Sequence, residues 1–243
     1  MKQIRRAAVL VLIIAALCTS CGIERFYYLP QVPEGYISTE FDTLAEITIP
    51  VLDDVQYDFA SGYVIFYRIY LSSFEGFTSS TAGNYNEISQ ALWSHYVALE
   101  PYTDPTKTNT IETSTFRSRG YYELEIEGSN IMDTVLTKKG GSFSIIFETD
   151  RTHPVIIANG TDYRLFRSTG GQAFSPVPNR YFLNTIEIRD NNNVRPELNA
   201  DVERFTGATR AYVSMYIAAT GRNQNFTRIY GKPTFINVFK LID

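Results

Sequence analysis

The chain has 243 residues, of which 44% are hydrophobic and 20% charged, and a formal net charge of −4. That length supports one substantial hydrophobic core or two small ones. The acidic balance gives no broad attraction for phosphate backbones and speaks against nucleic acid as a partner. At the N-terminus, Lys2, Arg5 and Arg6 precede an unbroken apolar run of eleven residues, Ala7 to Leu17, followed by Cys18-Thr19-Ser20-Cys21-Gly22. A membrane-spanning helix needs roughly 20 apolar residues. The run has the size of a signal-peptide core, so export is expected, with residues 1–20 removed. An ordinary secreted protein and an uncleaved anchor are the competing readings.

The small residues Thr19 and Ser20 before Cys21 resemble the lipobox of bacterial lipoproteins. The pattern departs from the usual one at Cys18, where Leu is customary. The resemblance implies a covalent lipid on Cys21, no other cofactor, and a membrane partner reached through that lipid. It places the protein in the bacterial cell envelope, on the inner or the outer membrane. Two or three acyl chains on one cysteine make attachment effectively permanent, since each buried methylene contributes about 0.8 kcal/mol. Loss of residues 1–20 removes Lys2, Arg5 and Arg6 and moves the formal charge from −4 to −7. It also removes Cys18, so the mature domain has no thiol left for a disulfide. Its stability must come from core burial. Residues 21–34 hold Pro30 and Pro33 without clear periodicity and read as a lipidated tether. Phe26, Tyr27, Tyr28 and Leu29 suit either the headgroup zone or a first strand on the domain.

Beyond the tether, residues 35–243 are expected to form one mainly β domain. Ala45 to Pro50 alternates apolar and polar residues. Gly62 to Ser72 (GYVIFYRIYLS) carries Tyr63, Ile65, Tyr67, Ile69 and Leu71 on one face, with Val64, Phe66 and Tyr70 beside Arg68 on the other. Both faces are largely apolar, which predicts a central strand covered on both sides. Ile88, Leu92, Tyr96 and Leu99 recur at helical spacing, and Asn84 with Glu87 resembles a capping pair. A helix is predicted from Tyr85 to Leu99, ended by Pro101. Ser-, Thr-, Asn- and Gly-rich stretches flank it, so residues 73–118 read as an insertion.

Tyr121 to Glu127 alternates cleanly and predicts a half-exposed strand with Glu123, Glu125 and Glu127 on its wet face. Phe143 to Thr149 is a further strand. Pro154 to Ala158, Asn159-Gly160, and Thr161 to Arg167 predict a hairpin, because Asn-Gly supplies the positive φ angles of a type I′ turn. Tyr181 to Arg189 is a strand closed by Asp190-Asn191-Asn192-Asn193. Arg210 to Ala219 and Thr234 to Leu241 complete the set, with Pro233 placed where its missing N–H does least harm. Aromatic content of 14%, mostly Tyr and Phe, suits packing on pleated surfaces.

Asp58-Phe59-Ala60-Ser61-Gly62-Tyr63 followed by Val64 to Tyr70 resembles the third strand of a fibronectin type III or immunoglobulin-like sandwich. Arg210 to Asn223 resembles the sixth strand and its turn, and Pro233 to Leu241 the last. Together with the C-terminal IYGKPTFINVFKL, the pattern resembles uncharacterised lipoproteins of treponemes and related spirochaetes. The likeness spans the signal, about ten residues near position 65 and roughly the last 35. It implies an antiparallel β-sandwich with an inserted helix-containing segment, and brings no active site with it. A module of this type needs only about 100 residues, so the excess belongs to an insertion or a second β-layer.

Motifs for chemistry are sparse. His95 and His153 are the only histidines. A zinc site would need both of them together with carboxylates, and no spacing demands it; no metal site is expected. A Ser-His-Asp triad lacks a GxSxG elbow, and Gly140-Gly141-Ser142 suits a turn. Asp53, Asp54 and Asp58 are the densest acidic group, but they lack an EF-hand pattern and read as solvated loop carboxylates. No phosphate loop or dinucleotide fingerprint occurs. Trp93, with Tyr85, Tyr96 and Tyr102, is the candidate contact surface, since exposed rings stack on sugars and anchor interfaces. The plainer account is that Trp93 packs the helix on the sandwich. The expectation is a non-enzymatic, lipid-anchored binding or structural module meeting an envelope or host protein or a glycan. The alternatives are an envelope hydrolase on a β scaffold and a subunit of a lipoprotein assembly.

Overall fold

The computed structural model describes residues 28–40, 43–72, 111–112, 116, 120–126, 136–148, 153–167, 201–203 and 210–241. The described strands form two facing sheets, so the domain is mainly β. In chain order they are β1 (Ile37–Glu40), β2 (Leu44–Ile49), β3 (Ala60–Ser72), β4 (Ile111–Glu112), β5 (Tyr122–Glu123), β6 (Glu125–Ile126), β7 (Gly141–Ile146), β8 (Val155–Ala158), β9 (Thr161–Phe166), β10 (Val202–Glu203), β11 (Arg210–Arg222), β12 (Arg228–Tyr230) and β13 (Thr234–Lys240). Of these, β1, β4, β10 and β12 were not anticipated from the sequence. The first sheet runs β1-β2-β7-β8-β9-β6. In the second, β3 pairs along its length with β11, whose other edge is shared by β13 and β12. The strands β5 and β10 flank β3, and β4 flanks β12. Pairing is antiparallel except for β10 on β3, which is parallel.

The strand from 60 to 72 is central and covered on both faces, as its two apolar faces dictate. Tyr63, Ile65, Tyr67 and Ile69 lie in the main core between the sheets, with Ile47, Phe143, Ile145 and Ile156 from the first sheet and Val213, Met215 and Ile217 from β11. Val64 and Phe66 face outward into a second cluster with Phe116, Tyr121, Tyr216, Ala218 and Tyr230. Gly62 explains how β3 begins. It has φ +136, and a Cβ there would meet the Leu136 carbonyl oxygen at 2.2 Å. The register against β11 shifts at this point, with Thr220 opposite Gly62 and Gly221 opposite Ala60. The hairpin at Asn159-Gly160 is present, with φ of 51 and 74 at its two turn residues.

Three readings of the sequence change. The alternating segment 121–127 is not one half-exposed strand: β5 pairs with β3 in the second sheet, and β6 pairs with β9 in the first. Between them Leu124 is buried, and its N–H donates to the Ile65 carbonyl at 2.7 Å. The span read as an insertion also reaches too far, because Phe116 is fully buried and β4 is paired. Leu29 and Val32, inside the span read as tether, are core residues. Thr234 Oγ1 donates to the Val32 carbonyl at 2.5 Å, and Gln31 Nε2 to the Pro233 carbonyl at 3.4 Å. The predicted helix from Tyr85 to Leu99 and the strand from Tyr181 to Arg189 lie outside the described residues. No helix among the described residues is long and apolar enough to cross a membrane.

Candidate functional site

The outer face of the second sheet gathers one cluster of aromatic and polar side chains, because period-two alternation sends every second residue of β3 and β11 there. Phe66 stacks on Phe116 with ring centroids 3.8 Å apart, and Tyr230 meets both edge-on at 5.0 and 5.2 Å. Such pairs contribute about 0.5–1.5 kcal/mol beyond area burial. Beside them Tyr121 meets Tyr216 edge-on at 5.4 Å, and the Tyr70 and Tyr121 hydroxyls are 3.1 Å apart. The Arg68 guanidinium lies over both of these rings, 5.2 Å from Tyr70 and 6.0 Å from Tyr121. Burial raises Tyr121 well above the ordinary tyrosine range, and the neighbouring Tyr70 adds to this, so the phenol stays neutral. The cluster therefore sets the neutral Tyr121 phenol beside a ring-covered cation.

On the rim of this face Arg228 Nη1 donates to Glu123 Oε2 at 2.6 Å, and the Tyr230 hydroxyl donates to Glu123 Oε1. Arg228 Nε reaches Thr220 Oγ1 at 3.2 Å. Glu123 is thus half-buried and bound, contrary to its reading as a wet-face carboxylate.

The inner face carries a second polar constellation. Arg167 follows β9 in the first sheet; Asp201 precedes β10 in the second. Arg167 Nε and Nη2 donate to the two Asp201 carboxylate oxygens at 2.8 and 2.5 Å, and the Tyr67 hydroxyl donates to Oδ2 at 2.8 Å. The Asp201 carbonyl accepts from the Ile69 N–H at 2.9 Å. Both charged side chains are at most 2% exposed. Burial alone lowers the Arg167 pKa, but the adjacent Asp201 and Tyr67 outweigh it and the net shift is upward. This bidentate pair staples one sheet to the other.

Of the residues singled out in the sequence, Cys21, Tyr85, Trp93, His95, Tyr96 and Tyr102 lie outside the described residues. His153 is half-buried ahead of β8. In the acidic loop, Asp53 Oδ1 accepts from the Val55 N–H at 2.7 Å, and Asp54 pairs with Lys138 at 2.9 Å. Among the described residues no group of three or more His, Cys, Asp or Glu converges to hold a metal ion. Neither the Arg167–Asp201 pair nor the Arg228–Glu123 pair was anticipated from sequence. Their members are 34 and 105 positions apart, so no local pattern joins them. The one available cue was an arginine at a strand boundary, Arg167 directly after β9 and Arg228 at the start of β12.

The chain matches no family model, no curated protein and no solved structure.

Proposed function

We propose that this chain is a lipid-anchored bacterial envelope protein, acylated at Cys21, that acts without catalysis by presenting a contact segment to a protein or glycan. The scaffold is proposed to be an immunoglobulin- or fibronectin type III-like sandwich of spirochaetal type. The pairing β1-β2-β7 facing β3-β11-β13 supports this, since it follows the A-B-E and C-F-G arrangement of such sandwiches. Lys2, Arg5, Arg6, the apolar core and Thr19-Ser20-Cys21 support the anchor.

One observation carries the contact reading. The stretch containing Tyr85, Trp93, Tyr96 and Tyr102 departs from the end of β3 and returns through β4 and Phe116, both held on the second sheet. Both ends of the stretch are therefore fastened to the second sheet, which fixes where on the sandwich it starts and returns. The ion pairs of the sandwich support the non-catalytic reading, because Asp201 and Glu123 are each engaged by an arginine and a tyrosine.

The test removes residues 73–110, keeping β4 and Phe116. The expected variant retains the β-type circular dichroism spectrum and cooperative unfolding, and loses the crosslinked partner seen with the full chain on intact cells. Unchanged crosslinking overturns the contact reading. On the full chain, Cys21→Ala is expected to abolish labelling by a fatty-acid analogue and to release the protein from membranes.

A further inference from the structure

We infer that one end of the sandwich rests on the lipid bilayer that holds Cys21, with Val55 and Phe226 entering its headgroup layer. This rests on the lipid-anchored reading proposed above and adds an orientation to it. Among the described residues the large exposed hydrophobics are Tyr28, Tyr36, Val51, Val55, Phe226 and Phe235. Val55 is 93% exposed, Phe226 77% and Val51 69%. All three lie at the end where β3 starts and β11 stops. Residues 51–59 lead into β3 there, and residues 223–227 join β11 to β12. The two segments are tied together by the Arg222 N–H donating to the Phe59 carbonyl at 3.1 Å.

These projections are built and held. The Val55 turn is fixed by Asp53, whose backbone carbonyl also accepts from the Tyr57 N–H at 2.8 Å. In the other segment, Asn223 Oδ1 accepts from the N–H groups of Asn225 and Thr227, both at 3.0 Å. Phe226 adopts φ 59, a conformation that a bulky side chain rarely takes. The turn accepts that strain while leaving the ring in water, where it contributes nothing to the core.

The N-terminus approaches from the same end. Leu29 lies against Gly231, whose N–H bonds the Ala219 carbonyl, three positions before β11 ends. Val32 bonds Thr234, which pairs with Ile217. The chain therefore climbs away from that end between residues 29 and 32, and Tyr28 lies on its near side, 49% exposed. Six residues separate Tyr28 from Cys21. At no more than about 3.5 Å per residue, the lipid-bearing cysteine is within roughly 25 Å of Tyr28. The end that carries the apolar tips is thus the end the anchor draws to the surface. Its charges balance: Asp53, Asp54 and Asp58 stand beside Lys138, Lys139 and Arg222. That suits an uncharged zwitterionic headgroup layer rather than an anionic one.

The acylated full chain, reconstituted into phosphatidylcholine vesicles, provides the test. Its mature form has no thiol besides Cys21, so Val55→Cys, Phe226→Cys and Thr39→Cys each accept one polarity-sensitive fluorophore. Thr39 is exposed on β1, at the opposite end. The expected result is blue-shifted emission and quenching by spin-labelled lipids at positions 55 and 226, with a water-like, unquenched label at position 39. Protein that stays anchored through salt washing while all three labels remain water-like overturns this inference and leaves the anchor standing. Protein that washes off the vesicles overturns both.

Discussion

Two of the ion pairs among the described residues, Arg167–Asp201 and Arg228–Glu123, lie on opposite faces of the second sheet and differ chiefly in burial. Asp201 and Arg167, on the inner face, have side chains 1% and 2% exposed, whereas Glu123 and Arg228, on the outer face, are 26% and 39% exposed. Each carboxylate also receives a tyrosine hydroxyl. Nearly the same chemistry is thus repeated in two dielectric settings. In the buried setting, attraction is strong but each charge has lost its hydration, so the pair holds only while both members are present. In the wet setting, water and salt screen the attraction and either member can be lost at small cost.

The largest expected effect breaks the buried pair. Asp201→Ala takes the carboxylate away from the buried Arg167 guanidinium between the sheets and is expected to cost about 3–5 kcal/mol, read by urea unfolding. Joint replacement by Arg167→Met and Asp201→Leu should restore most of that loss. If the double variant is as unstable as the single one, the inner pair contributes more than mutual neutralisation. An intermediate effect concerns alkaline pH. Tyr121 ionises near 10 when unfolded and well above that when folded, so between those values the unfolded state binds fewer protons. Stability is therefore fully present below pH 10 and falls as pH rises beyond it, by up to about 1.4 kcal/mol per pH unit for this group. Tyr121→Phe should flatten that part of a stability–pH curve. The smallest effect belongs to the outer pair: Glu123→Gln is expected to cost about 1 kcal/mol or less at low salt, shrinking further in 1 M salt. A loss comparable to that of Asp201→Ala would erase the distinction between the two faces.

What could be read from the sequence was local. The two apolar faces of Gly62 to Ser72 announced a strand covered on both sides, and Asn159-Gly160 announced its hairpin, because both signals arise from neighbouring residues. Alternation at Tyr121 to Glu127 signalled strand but carried no information on which sheet the strand joins. Its change of sheet at Leu124 depends on a hydrogen bond to Ile65, 59 positions away. Phe116 sat in a Ser- and Thr-rich stretch that read as loop, and its packing on Phe66 and Tyr230 makes it core. The ion pairs were invisible for the same reason, since a charge declares its partner only after the chain has folded. The candidate contact residues around Trp93 were legible as a composition, without a position relative to the sandwich.

The strand that changes sheets at Leu124 also works as a seam. Through β5 it occupies part of one edge of β3, and through β6 part of one edge of β9. Open strand edges are templates on which a neighbouring molecule can add its own strand. Copies tethered to one membrane, as proposed for this chain, would meet at high local density, where such additions would propagate from copy to copy. By lying along part of both edges with its own backbone, the segment narrows that foothold.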